Sequence, residues 1–572
     1  MRLSPRARII LGMTVGMVVF LVAFGLYLDS PLPKVDLHGK TAPTGNQNSE
    51  SSTQLPAVPK LSPQVEDSPK FTNQLSEAPL NIYQLWSLVE ITIKGPHLSV
   101  VNDQTNPFKI VLDVQFVSPS GEVYIVPGFY QGDGQGGMTG NIWLVRFTPD
   151  ITGNWSFSSR SSHTLLDGHA GTFQVVAHPA CETYQAGGLP NFECLGRLSY
   201  SGERYLQFVE GTYWLKGGVN EPEDFLAPDV TAGFASKELA VDYLARQGIN
   251  SIYLLLNNIE GDKQNVWPWL GSNQRDAKRQ NEYFDIKKLG EWEQIFDYIQ
   301  NRGIVLHLVL EDDSAWTGFN RQMYYREMVA RFAHYKGLVW NIAEEYNESY
   351  SAVDVSRFAN LLRDFDPYDH PITVHHSGST ARWKPFLNDR NLDLTSFQTK
   401  PEPQNDLANY WFEVVNSAQK TIPISFDETG QLESDQRDLA REIVWSVYLG
   451  GANYEIFTRM FTGYPEFELF FADLLRARRF IEQTSFELMS PCNDLLQPEA
   501  GYCFGQPGDG YIIYFPKGGS WKVDLSDLTG LAEGIWFSPR TGETLPLGHF
   551  EGVNNQTFST PDSEDWVLWI SS

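Results

Sequence analysis

Reactive sulfur is scarce in this chain. Its 572 residues contain four cysteines and no Cys-x-x-Cys pair, which removes the ligand spacing of a zinc ribbon or a thioredoxin-type motif. Positive charge is short as well. Lys and Arg number 43 against 70 Asp and Glu, a formal net charge of -27, so no cationic surplus exists to neutralise a phosphate backbone and nucleic acid is excluded as a partner. The Gly-rich run 128–137 (GFYQGDGQGG) lacks the strand-then-helix setting and the lysine of a phosphate loop, and reads as a tight connection between strands. What the chain does have is apolar and aromatic content, 42% and 13%, enough for several buried cores.

The N-terminus is built differently from the rest. Arg2, Arg6 and Arg8 flank IILGMTVGMVVFLVAFGLYL, an uncharged run about long enough to cross a bilayer. The arginines stay on the cytoplasmic side, so residues 1–28 are expected to be a transmembrane signal-anchor with all that follows outside the cytoplasm. A cleaved signal peptide ending near AFG is the alternative, and it also exports the protein. Residues 29–78 are rich in Pro, Ser, Thr, Asn and Gln, bury no core, and are expected to be a disordered linker. In an oxidising compartment the cysteines pair, and the two short loops are the easiest to close: Cys181 with Cys194 and Cys492 with Cys503.

Residues 79–180 carry short alternating runs (VEITIKG, GEVYIVPGFY, NIWLVRFTP) punctuated by Gly, Pro and Asn, the pattern of an immunoglobulin-like β-sandwich. Residues 196–487 alternate strand-like and helix-like runs instead. Eight candidate strands (TYWLKGG, NSIYLLLNN, IVLHLVLEDD, LVWNIAEE, PITVHHSG, DLTSFQ, IPISFDETG, ANYEIF) predict a (β/α)8 TIM barrel. A doubly wound sheet is the competitor, but no Gly-x-Gly-x-x-Gly follows a first strand. Residues 488–572 return to strands and turns, a second β-sandwich.

Barrel chemistry sits at the C-terminal ends of the strands. The fourth candidate strand runs into Glu344 and Glu345, and the seventh into Asp427 and Glu428. Two carboxylates facing each other across a barrel mouth suit cleavage of a glycosidic bond, where one protonates the leaving oxygen and the other attacks or stabilises the anomeric carbon. Adjacent strand residues point to opposite sides, so at most one of Glu344 and Glu345 is expected to enter the cleft. The bland reading is a helix N-terminus at which acids complement the dipole, and Glu348 is assigned there.

WNIAEE and FDETG resemble the acid/base and nucleophile motifs of clan A retaining glycoside hydrolases. The resemblance puts Glu345 on the acid/base, with Glu344 where asparagine usually stands, and Glu428 on the nucleophile. Glu344 and Asp427 are the alternates. Longer strings (NPFKIVLDVQFVSPSG, VRFTPDITGNWSF, YWLKGGVNEPEDFLA, YYREMVARFAHYKGLVWNIAEEYNE, YIIYFPKGGSWKVDL) resemble apiosidase-like barrel proteins. Those carry an N-terminal immunoglobulin-like module of unknown function and a C-terminal module labelled a putative collagen-binding domain.

Further candidates follow from position. His375 and His376 end the fifth strand, and Asn220, Asn257, Asn258 and Gln398 end others; each could bond a sugar hydroxyl. Trp267, Trp269, Trp340 and Trp383 could stack on sugar rings, as could Trp316 and Trp411, although large aromatics are more often core. His307, Glu311 and Asp312 share the third strand end without a fixed ligand spacing, so neither metal nor other cofactor is expected. The expectation is an exported, membrane-anchored glycoside hydrolase acting on a polysaccharide or oligosaccharide, its only membrane contact the N-terminal helix. Nothing in the sequence specifies an oligomeric state. The alternatives are a non-catalytic carbohydrate-binding or adhesion protein, and a carbohydrate lyase or modifying enzyme of an exopolysaccharide system, for which Lys216 or His376 would supply the base.

Overall fold

The computed structural model describes residues 81–101, 105–183, 188–313, 316–458, 462–498, 500–528 and 530–572. The expected anchor and linker lie outside these residues. Among the described residues, no helix is long and apolar enough to cross a membrane.

Two facing sheets make the first body. One runs in the order Asn81–Gln84, Ala170–Val176, Gly153–Ser161, Leu112–Val117, Val123–Pro127, and the other in the order Val89–Ser99, Thr139–Phe147, Phe129–Tyr130. Pairing is antiparallel except at Asn81–Gln84, which lies parallel to Ala170–Val176. Leu112, Val114 and Phe116 alternate inward from one sheet, and Trp143, Val145 and Phe147 from the other. The Phe116 and Phe147 rings stack at 4.2 Å, as the period of two in these runs requires when one face of each sheet is buried.

The central sheet is parallel and closes on itself. Its strands are, in turn, Gly217–Val219, Ser251–Leu255, Val305–Val309, Leu338–Asn341, the two-piece strand Ile372–Thr373 and His375–His376, Ser396–Thr399, Ser425–Thr429 and Asn453–Ile456. The last pairs with the first, Gly217 opposite Tyr454. The fifth strand is split at Val374, with one half bonded to the fourth strand and the other to the sixth. These are barrel strands buried on both faces, which is why VLHLV and SIYLL are continuously buried rather than alternating. Helices follow most strands. Ala352–Phe365 shows how they are specified: Ser351 and Asp354 form a reciprocal capping box, and Val355, Phe358, Ala359 and Leu362 fall at helical spacing on the buried face. After strand five a 3-10 segment, Thr380–Phe386, stands where a helix would, with Pro385 inside it.

The N-terminal end of the barrel is plugged. A small sheet (Leu198–Ser199, Leu206–Phe208, Tyr213–Trp214) sets Leu198, Leu206, Phe208 and Trp214 against Val305, Val339 and Leu394. Only the opposite mouth is left for a ligand. Arg331 ties the first sandwich to the barrel: it is fully buried and donates to Glu327, Glu293, Gln131 and the Tyr130 carbonyl.

The C-terminal body pairs a six-stranded sheet (Ser490–Pro491, Tyr502–Gln506, Gly510–Phe515, Trp566–Ser571, Leu531–Phe537, Thr544–Glu551) with a three-stranded one (Leu496–Gln497, Ser520–Val523, Gln556–Ser559). It is fixed to the barrel by a Trp445–Tyr514 stack at 5.6 Å and an Arg441–Asp565 ion pair at 2.7 Å. Both expected disulfides are present, Cys181–Cys194 and Cys492–Cys503. They belong to an oxidising compartment, periplasmic or extracellular.

Candidate active site

Strand four ends at Asn341, and the chain continues through Ile342 and Ala343 to the two glutamates. Glu345 adopts φ 36° and ψ 45°, the left-handed region that a residue with a Cβ occupies at a cost of about 1–2 kcal/mol. This corrects the expectation of opposite-facing acids. The left-handed residue breaks the alternation, and both carboxyls end on the same side of the mouth as Glu428. Glu345 precedes a 3-10 turn, Tyr346–Glu348, but its side chain caps nothing there. It reaches across the barrel to Gln398 instead. Glu348 sits in that turn, exposed, and accepts from the Ser377 hydroxyl at 3.0 Å.

Strand seven supplies Glu428. A register shift between Phe397 and Gln398 sets Gln398 directly opposite Glu428 on the neighbouring strand. The Gln398 amide nitrogen then donates to Glu345 Oε1 at 2.6 Å and to Glu428 Oε2 at 2.9 Å. One nitrogen holding both acids limits the separation of these two oxygens to at most 5.5 Å, the sum of the two bonds.

His375 lies on the buried side of this pair. Its Nδ1 shares a 3.0 Å hydrogen bond with the Ser396 hydroxyl. Its Nε2 is 3.3 Å from both Glu344 Oε1 and Glu428 Oε2, within ion-pair reach of each but in hydrogen-bonding line with neither. Burial opposes charge on this imidazole, but the Glu344 and Glu428 carboxylates outweigh it and raise its pKa to about 9. Glu344 is buried, and burial, with Glu428 and Glu345 nearby, pushes its carboxyl up to about 8 against the opposing pull of His375. Glu345 is half-buried; burial is again the main cause that raises it to about 7, and the Gln398 hydrogen bond holds it down.

Asp427, the alternate nucleophile, belongs elsewhere. It is fully buried and accepts from Lys216 Nζ at 2.6 Å and from the Ser425 hydroxyl at 2.5 Å. Although burial works against its ionisation, Lys216 and His307 keep its carboxyl below the ordinary range. Lys216 lies 3.5 Å from Glu455, which also pairs with His307. This network fills the barrel interior beneath the mouth.

The remaining candidates divide. Asn220 donates to the Asp427 carbonyl at 2.9 Å, and its own carbonyl oxygen is buried without a partner. Asn258 accepts from the Asn265 and Val266 amides, and Asn257 from Ile259; both are amides that hold their own loop. His376 is buried against Phe397, both ring nitrogens unpartnered, and burial beside His375 lowers its pKa to about 3. Burial corrects the expectation for Trp269, Trp340, Trp383 and Trp411. Trp340 and Trp383 are fully enclosed, donating to Asp366 and to the Val374 carbonyl at the break in strand five. Trp269 is enclosed among Trp316, Phe319 and Tyr324, and Trp411 packs on Phe397. Trp267 bonds Gly271 under the Lys288 ammonium. A fully enclosed ring offers no face to a sugar. His307, Glu311 and Asp312 go three ways: to Glu455, to Arg321 and Tyr325, and to backbone amides of residues 262 and 313.

One acid escaped the sequence reading. Glu223 follows strand one, is buried, and has its carboxyl raised well above the usual range by burial, then by Glu344, Glu221 and Glu428. Its only signal was the acidic run NEPED after a predicted barrel strand.

Residues 82–162 match the family described as "Domain of unknown function (DUF5060)", and residues 497–571 the one described as "Putative collagen-binding domain of a collagenase". No curated protein matches the chain. Solved structures do. A "putative glycoside hydrolase" from Bacteroides vulgatus ATCC 8482 is similar with a TM-score of 0.67 and 16% identity, over 86% of this chain and 99% of that one. A structure described as "Glycoside hydrolase" gives 0.54 and 15%, over 68% and 99%. A glycoside hydrolase family 5 protein from the same Bacteroides strain gives 0.53 and 16%, over 67% and 95%. At such identities the likeness is one of fold: a glycoside-hydrolase-type barrel with flanking modules of the two kinds the sequence resembles.

Proposed function

We propose that this protein is an exported glycoside hydrolase, tethered by its N-terminal segment, that cleaves a polysaccharide or oligosaccharide with retention of configuration. One observation carries the reading: a single Gln398 amide is bonded to both Glu345 and Glu428, so their nearest oxygens lie no more than 5.5 Å apart. Retaining enzymes space their carboxyls at about 5–5.5 Å, whereas inverting ones leave about 6.5–9.5 Å for a water.

In the first step Glu428 attacks the anomeric carbon. The bond to the departing oxygen breaks as that oxygen takes the Glu345 proton. In the second step water attacks the same carbon, Glu345 takes the proton from that water, and the bond to Glu428 breaks. Glu345 suits the first role better than Glu344, because it is half-exposed where Glu344 is buried and its pKa of about 7 lets it hold and release a proton near neutrality. The lyase reading loses its bases: Lys216 is committed to Asp427, and His376 is enclosed with a pKa lowered to about 3.

The test is hydrolysis by the full-length protein across a panel of polysaccharides and aryl glycosides, beside its Glu428→Gln variant. Activity that falls by about 10³-fold or more in the variant supports the reading. Equal activity in both refutes the nucleophile, and retention of glycans without cleavage by either would make this a binding protein.

A further inference from the structure

The mouth of the barrel holds more carboxyl groups than the proposed chemistry uses. Glu223, Glu344, Glu345 and Glu428 converge there. Among the described residues, the only basic side chain in ion-pair contact with any of the four is His375. Several other barrel acids are matched by cations: Asp427 by Lys216, Glu311 by Arg321, Asp393 by Arg363 and Lys420, Asp473 by Arg437. Lys263, beside the mouth, is already engaged with Glu221 and Asp224.

One of the four acids has an unmet demand. Glu344 is 5% exposed, and its Oε2 is buried without a hydrogen-bond partner. Glu223 is 6% exposed, and the nearby Glu344, Glu221 and Glu428 charges add to burial in raising its carboxyl. Buried polar groups are ordinarily paired, so a buried acceptor that faces a ligand site without a donor awaits one from the ligand. Its place is defined by Glu428. The Glu344, His375 and Glu428 ligand atoms all lie within 4.8 Å of one another. With Glu428 about 3 Å from the anomeric carbon it attacks, Glu344 is within reach of a substituent on the same ring. A hydroxyl there would supply one donor and no charge, and an N-acetyl group would bring a neutral, bulkier amide. An ammonium supplies up to three donors and favours the ionised form of carboxyls that burial and mutual repulsion otherwise keep protonated.

We propose that the sugar unit held against Glu428 carries a free amino group, so that the substrate is a glycan containing de-N-acetylated amino sugars, and that Glu344 is the residue that receives the ammonium. This rests on the glycosidase reading for the position of the sugar, but its test reads binding separately from cleavage.

The probes are glucosamine, galactosamine and mannosamine, each beside its N-acetyl derivative and its parent hexose. Each is titrated calorimetrically into the full-length protein and into the Glu344→Gln variant. The expected result is that at least one free amine binds about 10-fold or more tightly than both counterparts, and that Glu344→Gln brings the three within about 3-fold. Glu223→Gln is the second variant, expected to reduce the preference and serving if Glu344→Gln does not fold. No amine preference, or a preference that survives Glu344→Gln, overturns the proposal. Cleavage of neutral glycans that depends on Glu428 but comes without amine preference would leave the hydrolase standing and this inference refuted. A Glu344-dependent amine preference without cleavage of any glycan would do the reverse.

Discussion

Replacing Gln398 with leucine removes one side-chain amide and with it both hydrogen bonds that link Glu345 to Glu428. The bond to Glu345, at 2.6 Å, favours the ionised carboxylate and holds its pKa down against burial. Hydrogen bonds to charged groups contribute about 1.5–3 kcal/mol. Glu345 and Gln398 are both half-buried, so water recovers part of the loss, and the lower end of that range applies. At about 1.4 kcal/mol per pKa unit, Gln398→Leu is expected to raise the Glu345 pKa by about one unit, from about 7 to about 8. Carboxyl carbon NMR with labelled glutamate reads this directly and needs no substrate, the Glu345 resonance being assigned from its absence in Glu345→Gln. Where a substrate is in hand, the alkaline limb of kcat, which reports loss of the Glu345 proton, moves up by the same amount. A Glu345 pKa that stays put or falls would refute the placement of this amide between the two acids.

Two further predictions follow from the same site. His375 has a folded pKa of about 9 against about 6.5 unfolded, and Glu344 about 8 against about 4.5. The folded state therefore holds more protons than the unfolded chain between about pH 4.5 and 9, and stability falls as pH rises through that window. The His375 part is full below about pH 6.5 and lost through 9, so His375→Gln is expected to flatten the melting temperature above pH 6.5, checked by thermal melts from pH 5 to 10; an unchanged slope would contradict the His375 environment. Glu345 occupies left-handed backbone without being glycine, so Glu345→Gly is expected to be more stable than Glu345→Ala by about 1 kcal/mol, both lacking activity, as read from paired melts.

The architecture was legible because its signals are local. Eight buried strand runs, the two short disulfide loops, and acids at the ends of runs four and seven are all properties of neighbouring residues. Their meaning does not depend on what packs against them. The arrangement at the mouth is another matter. Nothing near Glu345 in sequence announces a left-handed residue, since no glycine stands there; the surrounding barrel imposes it, and with it the meeting of Glu344 and Glu345 on one side. Gln398 faces Glu428 through a register shift between strands that lie about thirty residues apart in sequence. Asp427 and Glu428 look equivalent in FDETG, yet one is taken by Lys216, 211 residues away, and the other faces the mouth. Composition likewise could not separate Trp340 and Trp383, fully enclosed in the fold, from a ring that meets a sugar. Periodicity along the chain determines which segments become strands and helices. Exposure, charge pairing and the surplus of acids at the mouth are sums over distant residues, and only the closed barrel brings those residues together.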